Sequence, residues 1–246
     1  TTVLMFYIDA GMVGSLGAEP SAAIGLVEPA TWLFFSLVSA VTMGFSVQVA
    51  HFIGANDFAK ARAVMRHGYI FGLCFALFLL LITFLIGYRL PVWLGGGADI
   101  QHDATVYFLI FSLIIPFHLI EYMSAAMLKV SGDMRRPSFM AILMCVLDVI
   151  FNYFFIFPTR TVSLFGVEVT MPGLGEGVAG GALGSLLSFV CVALPLAYYA
   201  IFRSPILAWK QDVERFVWRW QYIWNAMKIG APMALQYLLM NGAQLV

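Results

Sequence analysis

The sequence predicts an all-α, polytopic membrane protein built as a bundle of spanning helices. Its 246 residues are 62% hydrophobic and only 11% charged, and the mean hydropathy is +0.91. Soluble domains carry about 25% charged residues, so this composition places the chain in a bilayer. The apolar residues form runs of about 20, the length that one helix needs to cross a membrane. Lipid cannot satisfy open sheet edges, and the runs lack the alternating polarity of a membrane barrel, so we expect helices.

Seven apolar segments follow one another along the chain. The predicted spans are a remnant that ends near Gly17, followed by residues 24–53, 68–94, 105–128, 137–157, 177–202 and 222–246. The chain starts without a methionine, and both of its ends fall inside an apolar run. We therefore expect a fragment of a longer membrane protein.

The placement of lysine and arginine predicts how the bundle is oriented. Ten basic residues fall in the loops after the second, fourth and sixth segments: Lys60, Arg62, Arg66, Lys129, Arg135, Arg136, Arg203, Lys210, Arg215 and Arg219. The opposite side holds only Arg89, near the end of the third segment, and Arg160. By the positive-inside rule the ten face the cytoplasm, and loops 95–103 and 158–176 face outward. We expect a multi-pass protein of the plasma (inner) membrane.

The stretch 209–224 differs from the spans because it mixes charged and aromatic side chains. Its four tryptophans are Trp209, Trp218, Trp220 and Trp224. This mixture is typical of a helix that lies in the headgroup region, and a cytoplasmic loop with an aromatic belt is the alternative. We expect residues 203–221 to link a first lobe, residues 1–202, to the start of a second lobe at 222–246.

The sequence contains no motif of a soluble enzyme. It has no Walker A loop, no HExxH motif and no paired Cys/His spacing, so we expect neither ATP-driven nor enzymatic chemistry and no cofactor. The formal net charge of zero provides no basic field for nucleic acid. Cys74, Cys145 and Cys191 are far apart in apolar runs, so we expect small buried side chains rather than disulfides or metal ligands.

Two carboxylates inside apolar segments are the strongest functional candidates. Asp148 is the single charged residue in the run 140–157, and a charge near the bilayer midplane is costly enough to indicate a function. Asp9 precedes Gly17 by eight residues, which places it about 12 Å from the outer surface, at a similar depth. Two carboxylates in a site of low polarity cannot both stay charged without a compensating cation. Such a pair would exchange H⁺, Na⁺ or an organic cation, which is what antiport requires.

Two polar residues are placed to complete this site. Asn152 follows Asp148 by one helical turn and would hydrogen-bond to its carboxyl group. Ser185 belongs to the small-residue run 180–185, which permits close helix packing. Alternatively, Asp148 and Asn152 only hold helices together, but that interpretation leaves Asp9 unexplained.

A second polar pair lies in the fourth segment. His118 and Glu121 are three residues apart on one helix face, beside Pro116. They would form either a proton relay or a structural pair.

Six stretches resemble, in order and with similar spacing, signature segments of the multidrug and toxic compound extrusion (MATE) transporters. They are residues 8–17 and 22–29 near the first helix, 44–56 in the second, 128–137 before the fifth, 147–157 in the fifth and 177–185 opening the sixth. The resemblance covers nearly the whole chain.

The resemblance implies a twelve-helix, inverted-V fold of two six-helix lobes, of which this chain supplies the first lobe and part of helix seven. It also implies an H⁺- or Na⁺-coupled antiporter that exports amphipathic organic cations by alternating access. The expected partners are those small cations, membrane lipid and the C-terminal lobe of the same full-length protein. Asp9 and Asp148 match the family's acids on helices one and five, and Ser185 matches a hydroxyl on helix six.

The sequence departs from the family pattern at two places. Met144 stands where many members have an asparagine, one turn before the helix-five acid. Where some members carry a helix-seven glutamate, this chain offers Gln236, Asn241 and Gln244. Gln236 and Asn241 therefore join His118 and Glu121 as a secondary polar site. The principal predicted site for H⁺ or Na⁺ is Asp9, Asp148, Asn152 and Ser185, with no other metal expected.

Two alternative functions stay open at this point. Lipid-linked oligosaccharide flippases of the same superfamily tend to line their cavity with basic residues, whereas no lysine or arginine lies in the middle of a segment here. The other alternative is a membrane scaffold or sensor lobe that does not transport.

Overall fold

The computed structural model describes residues 2–164, 167–211 and 217–242, and most of these residues are helical. The helices are α1 (Thr2–Gly14), α2 (Ala18–Gly54), α3 (Phe58–Gly87), α4 (Leu90–Trp93), α5 (Gln101–Ser112), α6 (Ile114–Val130), α7 (Arg135–Ile156), α8 (Gly177–Tyr198) and α9 (Trp220–Gly242). Two strands, β1 (Pro158–Leu164) and β2 (Val167–Leu174), come between α7 and α8. A π-helical turn, Tyr199–Arg203, follows α8, and a 3₁₀ turn covers Trp209–Gln211.

Among the described residues, five helical stretches are long and apolar enough to cross a membrane. They are Ala18–Gly54, Phe58–Gly87, Gln101–Val130, Arg135–Ile156 and Gly177–Arg203. In α3 and α7 only 28% of the most apolar window is buried. Most of that apolar surface therefore faces outward, as lipid contact requires. The predicted helical membrane bundle is confirmed.

The cysteines correct one expectation. Cys74 in α3 and Cys191 in α8 are exposed, and Cys145 is half-buried, whereas the sequence predicted three buried side chains. In a membrane protein an apolar run also supplies the outer, lipid-facing surface, so apolar surroundings in the sequence do not imply burial within the protein.

The predicted fourth span is present as one stretch, Gln101–Val130, which a one-residue break at Leu113 divides into α5 and α6. Pro116 has no N–H to donate to the carbonyl group of Ser112, four residues earlier, and its ring crowds that carbonyl. At the junction the N–H of Leu113 donates to the carbonyl of Ile110 at 3.1 Å, a tighter i to i−3 bond. The break between α5 and α6 therefore follows from the proline.

The predicted outer loop 158–176 contains a β-hairpin. Strands β1 and β2 pair antiparallel, with Thr161 opposite Thr170 and Val162 opposite Val169. Threonines and valines recur along both arms, and such β-branched residues favour strands. The all-α prediction therefore holds for the spanning segments but not for this connection.

The connection before α9 is not the continuous helix that its composition favoured. Residues 217–219 are not helical, α9 starts at Trp220, and residues 212–216 lie outside the described part of the chain. The backbone N–H of Arg219 donates to the side chain of His67 instead of to a carbonyl of a preceding helical turn. The division into residues 1–202, 203–221 and 222–246 stays a prediction.

The chain forms two compact units. The first comprises Thr1–Thr31, Ile82–Ile114 and Ala141–Val190, and the second comprises Trp32–Leu81, Ile115–Met140 and Cys191–Val246. The predicted principal site lies in the first unit, and α9 lies in the second.

Within the second unit, glycines let α2 and α9 approach closely. A Cβ at Gly44 in α2 would collide with the carbonyl group of Ala226, and a Cβ at Gly230 in α9 would lie 2.7 Å from the carbonyl oxygen of Ala40. Small residues at such crossings allow backbone contact between membrane helices.

Replacing Gly44 by alanine should destabilise the protein by about 1–3 kcal/mol, the usual cost of overpacking a tight contact. Gly25→Ala is the matched control, because a Cβ at Gly25 in the same helix meets no atom within 4 Å. Thermal unfolding of the full-length protein in detergent measures both changes. Equal midpoints for the two variants would contradict the close α2–α9 contact.

Candidate functional site

Three helices of the first unit bring polar side chains together. Asp9 comes from α1, Asp148 and Asn152 from successive turns of α7, and Ser185 and Ser188 from α8. Asp148 and Ser188 are 0% exposed, Asn152 is 1% exposed, and Asp9 is half-buried. The four predicted principal site residues are therefore neighbours, on three different helices.

The side-chain amide of Asn152 joins the two carboxyl groups. Its Nδ2 lies 2.8 Å from Oδ1 of Asp9 and 3.0 Å from Oδ2 of Asp148, so each of its two N–H bonds meets one acid. A carboxylate oxygen only accepts hydrogen bonds, which fixes the nitrogen end of the amide toward both acids. One neutral side chain thus orients both carboxyl groups.

Hydroxyl groups on α8 complete the surroundings of Asp148. Ser185 interacts with its carboxyl group, and Oγ of Ser188 lies 3.4 Å from Oδ1 of Asp148. The Ser188 hydroxyl makes its shorter contact, 2.7 Å, with the carbonyl oxygen of Gly184. A hydroxyl has a single proton to donate, so Ser188 satisfies Asp148 only weakly.

Asp9 and Asp148 interact directly with each other. Neither carboxyl group forms an ion pair with a lysine or arginine among the described residues. Two neighbouring carboxylates, one buried and one half-buried, repel each other unless a proton or a cation compensates one charge. The arrangement therefore favours one positive charge bound between the two acids.

Glycines of α8 make this geometry possible. A Cβ at Gly180 would collide with the carbonyl group of Phe155, and a Cβ at Gly184 would collide with Oδ1 of Asn152. At the level of the acids, the backbone of α8 therefore lies directly against the backbone and side chains of α7. The small-residue run serves the close packing that its sequence predicted.

The oxygen of the Asn152 amide is the least satisfied atom of the site. Oδ1 is buried and, among the described residues, has no hydrogen-bond donor. Leaving such an acceptor without a partner costs about 1–3 kcal/mol. Carboxylate, amide and hydroxyl oxygens are hard donors that suit a proton or a hard cation such as Na⁺. The donor set thus fits the predicted coupling ion.

No cluster of three or more His, Cys, Asp or Glu side chains suited to a metal ion occurs in the described ranges. The site has two acids rather than three. It therefore differs from the metal centres that such clusters form.

The structure adds two residues that sequence reasoning missed. Ser188 is three residues from Ser185, so the helical repeat could have indicated it. Tyr107 in α5 stacks on Phe111 with ring centroids 5.3 Å apart and lies near enough to Asp9 and Asp148 to interact electrostatically. A single tyrosine in an apolar segment gives no such signal in the sequence.

The departure at Met144 does not deprive the site of an amide. Met144 is buried at 5% exposure in α7, and Asn152 supplies the amide from the turn that follows Asp148 rather than the turn before it. The Asn152 amide thus contacts Asp148 from the following helical turn, whereas Met144 lies one turn before the acid.

The predicted secondary polar residues belong to the second unit. His118 stacks on Phe35 with ring centroids 4.5 Å apart and tilts against Tyr122, so it packs as an aromatic ring. Glu121 is half-buried in α6, and Gln236 in α9 is exposed and contacts the sulfur of Met240. The side chain of Asn241 and all of Gln244 lie outside the described residues.

The described residues form a bundle of helices suited to a membrane, with a pair of acids held between three helices. A family model described as MatE matches residues 1–154, and the chain belongs to this family. The family comprises transporters rather than enzymes.

Two relatives are similar in sequence, and a solved structure has a similar fold. Probable multidrug resistance protein YoeA of Bacillus subtilis is 21% identical over 92% of this chain and 47% of its own length. Multidrug export protein MepA of Staphylococcus saprophyticus is 21% identical over 100% of this chain and 51% of its own. An inward-facing MATE family transporter of the MOP superfamily matches with a TM-score of 0.86 at 23% identity, over 100% of this chain and 52% of that one. The chain spans about half the length of the relatives it matches.

Replacing Gly184 by alanine should displace the Asn152 amide and destabilise the protein by about 1–3 kcal/mol. Gly181→Ala is the control, because a Cβ there meets its nearest atom at an ordinary 3.7 Å. The thermal midpoints of the two full-length variants give the comparison. A Gly184→Ala protein as stable as the Gly181→Ala protein would show that α7 and α8 do not pack at this distance.

Proposed function

We propose that this chain is the N-terminal lobe of an ion-coupled antiporter that exports amphipathic organic cations. The observation that supports the proposal is the double hydrogen bond from Asn152 to Asp9 and Asp148. It keeps the buried Asp148 and the half-buried Asp9 close enough to share one positive charge.

Binding and release of H⁺ or Na⁺ at Asp9 and Asp148 couple the ion gradient to export. When H⁺ or Na⁺ binds, it compensates the repulsion between the two carboxylates; when it leaves, the unpaired charges make the same arrangement unfavourable. A site whose stability changes with occupancy shifts the balance between two conformations of the protein. In the full-length protein, we infer that this shift drives alternating access, in the manner of secondary transporters with paired lobes.

Several supporting features come from the whole chain. The relatives are named for multidrug resistance or multidrug export, and five helices are suited to a membrane. Ten lysines and arginines lie in loops on one side of these helices, and by the positive-inside rule we infer that this side faces the cytoplasm across a plasma membrane. The C-terminal lobe of the same protein and membrane lipid are the proposed partners, and the coupling ion takes the place of a cofactor.

Asp9→Asn and Asp148→Asn should each abolish ion-driven export. Either change leaves a single carboxyl group, so the repulsion between two carboxylates that the ion relieves is lost. The assay is ethidium efflux by the full-length protein in proteoliposomes, under an H⁺ gradient and a Na⁺ gradient applied separately. The gradient that drives wild-type efflux identifies the ion.

Asp103→Asn provides the matched control, since Asp103 is an exposed acid at the start of α5 in the same unit. Its efflux should equal that of the wild type. If both Asp9→Asn and Asp148→Asn retain gradient-driven efflux, the acid pair is not the coupling site.

A further inference from the structure

An open recess lies at the end of α8, outside the ion site. Its volume is about 610 Å³, and it is lined by Tyr198, Phe202, Arg203 and Lys210. All four residues belong to the second unit, whereas the acid pair lies in the first. The recess therefore brings two cations and two aromatic rings together at a place that the ion site does not use.

The backbone after α8 explains why Arg203 and Lys210 line one recess although seven residues separate them. The N–H of Ser204 donates to the carbonyl oxygen of Tyr199 at 3.0 Å, which closes the π-helical turn. Ser204 is extended, and its hydroxyl oxygen accepts the N–H of Leu207 at 3.3 Å, so the chain reverses. This reversal lays the 3₁₀ turn, which carries Lys210, against the π-helical turn, which carries Arg203. π-helical turns are rare and often occur at functional sites.

Two arginines of α3 fix the connection in this shape. Nη1 of Arg62 donates to the carbonyl oxygen of Ile206 at 3.1 Å, and Nη2 of Arg66 donates to the carbonyl oxygen of Trp209 at 2.9 Å. Between these anchors Leu207 is fully buried. The recess is therefore formed before any ligand arrives, and a preformed site loses less entropy on binding.

The charges of the recess are available to a ligand. Arg203 and Lys210 are exposed, and in the described part of the chain neither forms an ion pair with an acid. Lys60, in contrast, is paired with Asp57 at 2.7 Å. Two cations that line one recess repel each other, and an anion placed between them removes that repulsion. Guanidinium and ammonium groups both bind phosphate oxygens well.

The position of the recess distinguishes a lipid from a soluble anion. The membrane-suited stretch Gly177–Arg203 ends at Arg203 itself. Just before this end, the rings of Tyr198 and Phe202 are 54% and 43% exposed, with centroids 5.5 Å apart. Tyrosine is enriched where the membrane meets water. A soluble phosphate would gain nothing from these apolar surfaces, whereas a phospholipid carries acyl chains that would cover them.

We propose that the recess binds one anionic phospholipid, with its phosphate between Arg203 and Lys210 and its acyl chains along Tyr198 and Phe202. Basic clusters at the cytoplasmic ends of spanning helices recognise such headgroups. This inference deepens the proposed function, which includes membrane lipid as a partner, and it rests on the cytoplasmic placement of this side. A bound lipid would hold the end of α8 at the membrane surface.

Native mass spectrometry of the full-length protein in detergent tests the site. Titration with dioleoyl phosphatidylglycerol gives the dissociation constant of the first bound lipid. Arg203→Gln and Lys210→Gln should each weaken this binding about fivefold, and the double variant about twenty-fivefold, the factors expected for one and two basic groups near an anionic headgroup. Dioleoyl phosphatidylcholine, which has a phosphate but no net charge, should bind the wild type and the variants equally weakly.

Arg135→Gln is the matched control. Arg135 is an exposed cation on the same predicted cytoplasmic side, and it does not line the recess. This variant should bind phosphatidylglycerol as the wild type does. Should the double variant fail to fold, each single variant, changed at one exposed side chain, still decides against this control.

The proposal is overturned if the Arg203 and Lys210 variants bind phosphatidylglycerol as tightly as the wild type. It is equally wrong if Arg135→Gln weakens binding as much as they do, because diffuse surface charge would then hold the lipid. If glycerol phosphate, which has no acyl chains, displaces phosphatidylglycerol as effectively as the lipid itself, the recess takes a soluble phosphate and the lipid assignment is wrong.

The outcome is separate from that of the transport assay. Lipid binding is measured without an ion gradient, so Asp9→Asn and Asp148→Asn should bind phosphatidylglycerol as the wild type does. Failure of the lipid site leaves the acid-pair function standing. Retained efflux in the aspartate variants would overturn the acid pair without affecting the lipid result.

Discussion

The bridge from Asn152 to Asp9 and Asp148 is the interaction on which the proposed mechanism depends. The two hydrogen bonds, 2.8 and 3.0 Å long, set the separation of two acids that would otherwise repel each other. A neutral donor holds both groups without cancelling their charge, as an arginine would. In the proposed mechanism the pair therefore stays able to bind an exchangeable cation, which a permanent ion pair would prevent.

The spacing of the sequence was enough to predict that Asp9, Asp148 and Asn152 lie near one another. Asp9 and Asp148 could be placed at similar depth from the 1.5 Å rise of a helix, and Asn152 from its position one turn after Asp148. The direction of the amide, the weak contact of Ser188 and the approach of Tyr107 depend on how three or four helices rotate against each other. The residue pattern of a single helix does not specify how that helix is rotated relative to its neighbours.

The spanning helices could likewise be predicted, because the thickness of the bilayer sets the length of the apolar run that each crossing needs. The errors fell where a second constraint acts. β-branched residues pair as β1 and β2 in a predicted loop, and His67 takes the N–H of Arg219 that a continuous helix would have used. The exposure of Cys74 shows the remaining ambiguity, since lipid-facing and buried apolar positions read alike in a sequence.

Whether Asp9 and Asp148 share one proton is the central question, and infrared difference spectroscopy of the full-length protein addresses it most directly. Protonated and ionised carboxyl groups absorb infrared light at different frequencies. The change in these bands when the pH is changed or Na⁺ is added therefore reports the protonation of the two acids. The account predicts one carboxyl band, displaced by the coupling cation and lost in both Asp9→Asn and Asp148→Asn. Two independent bands, each lost only in its own variant, would contradict a shared site.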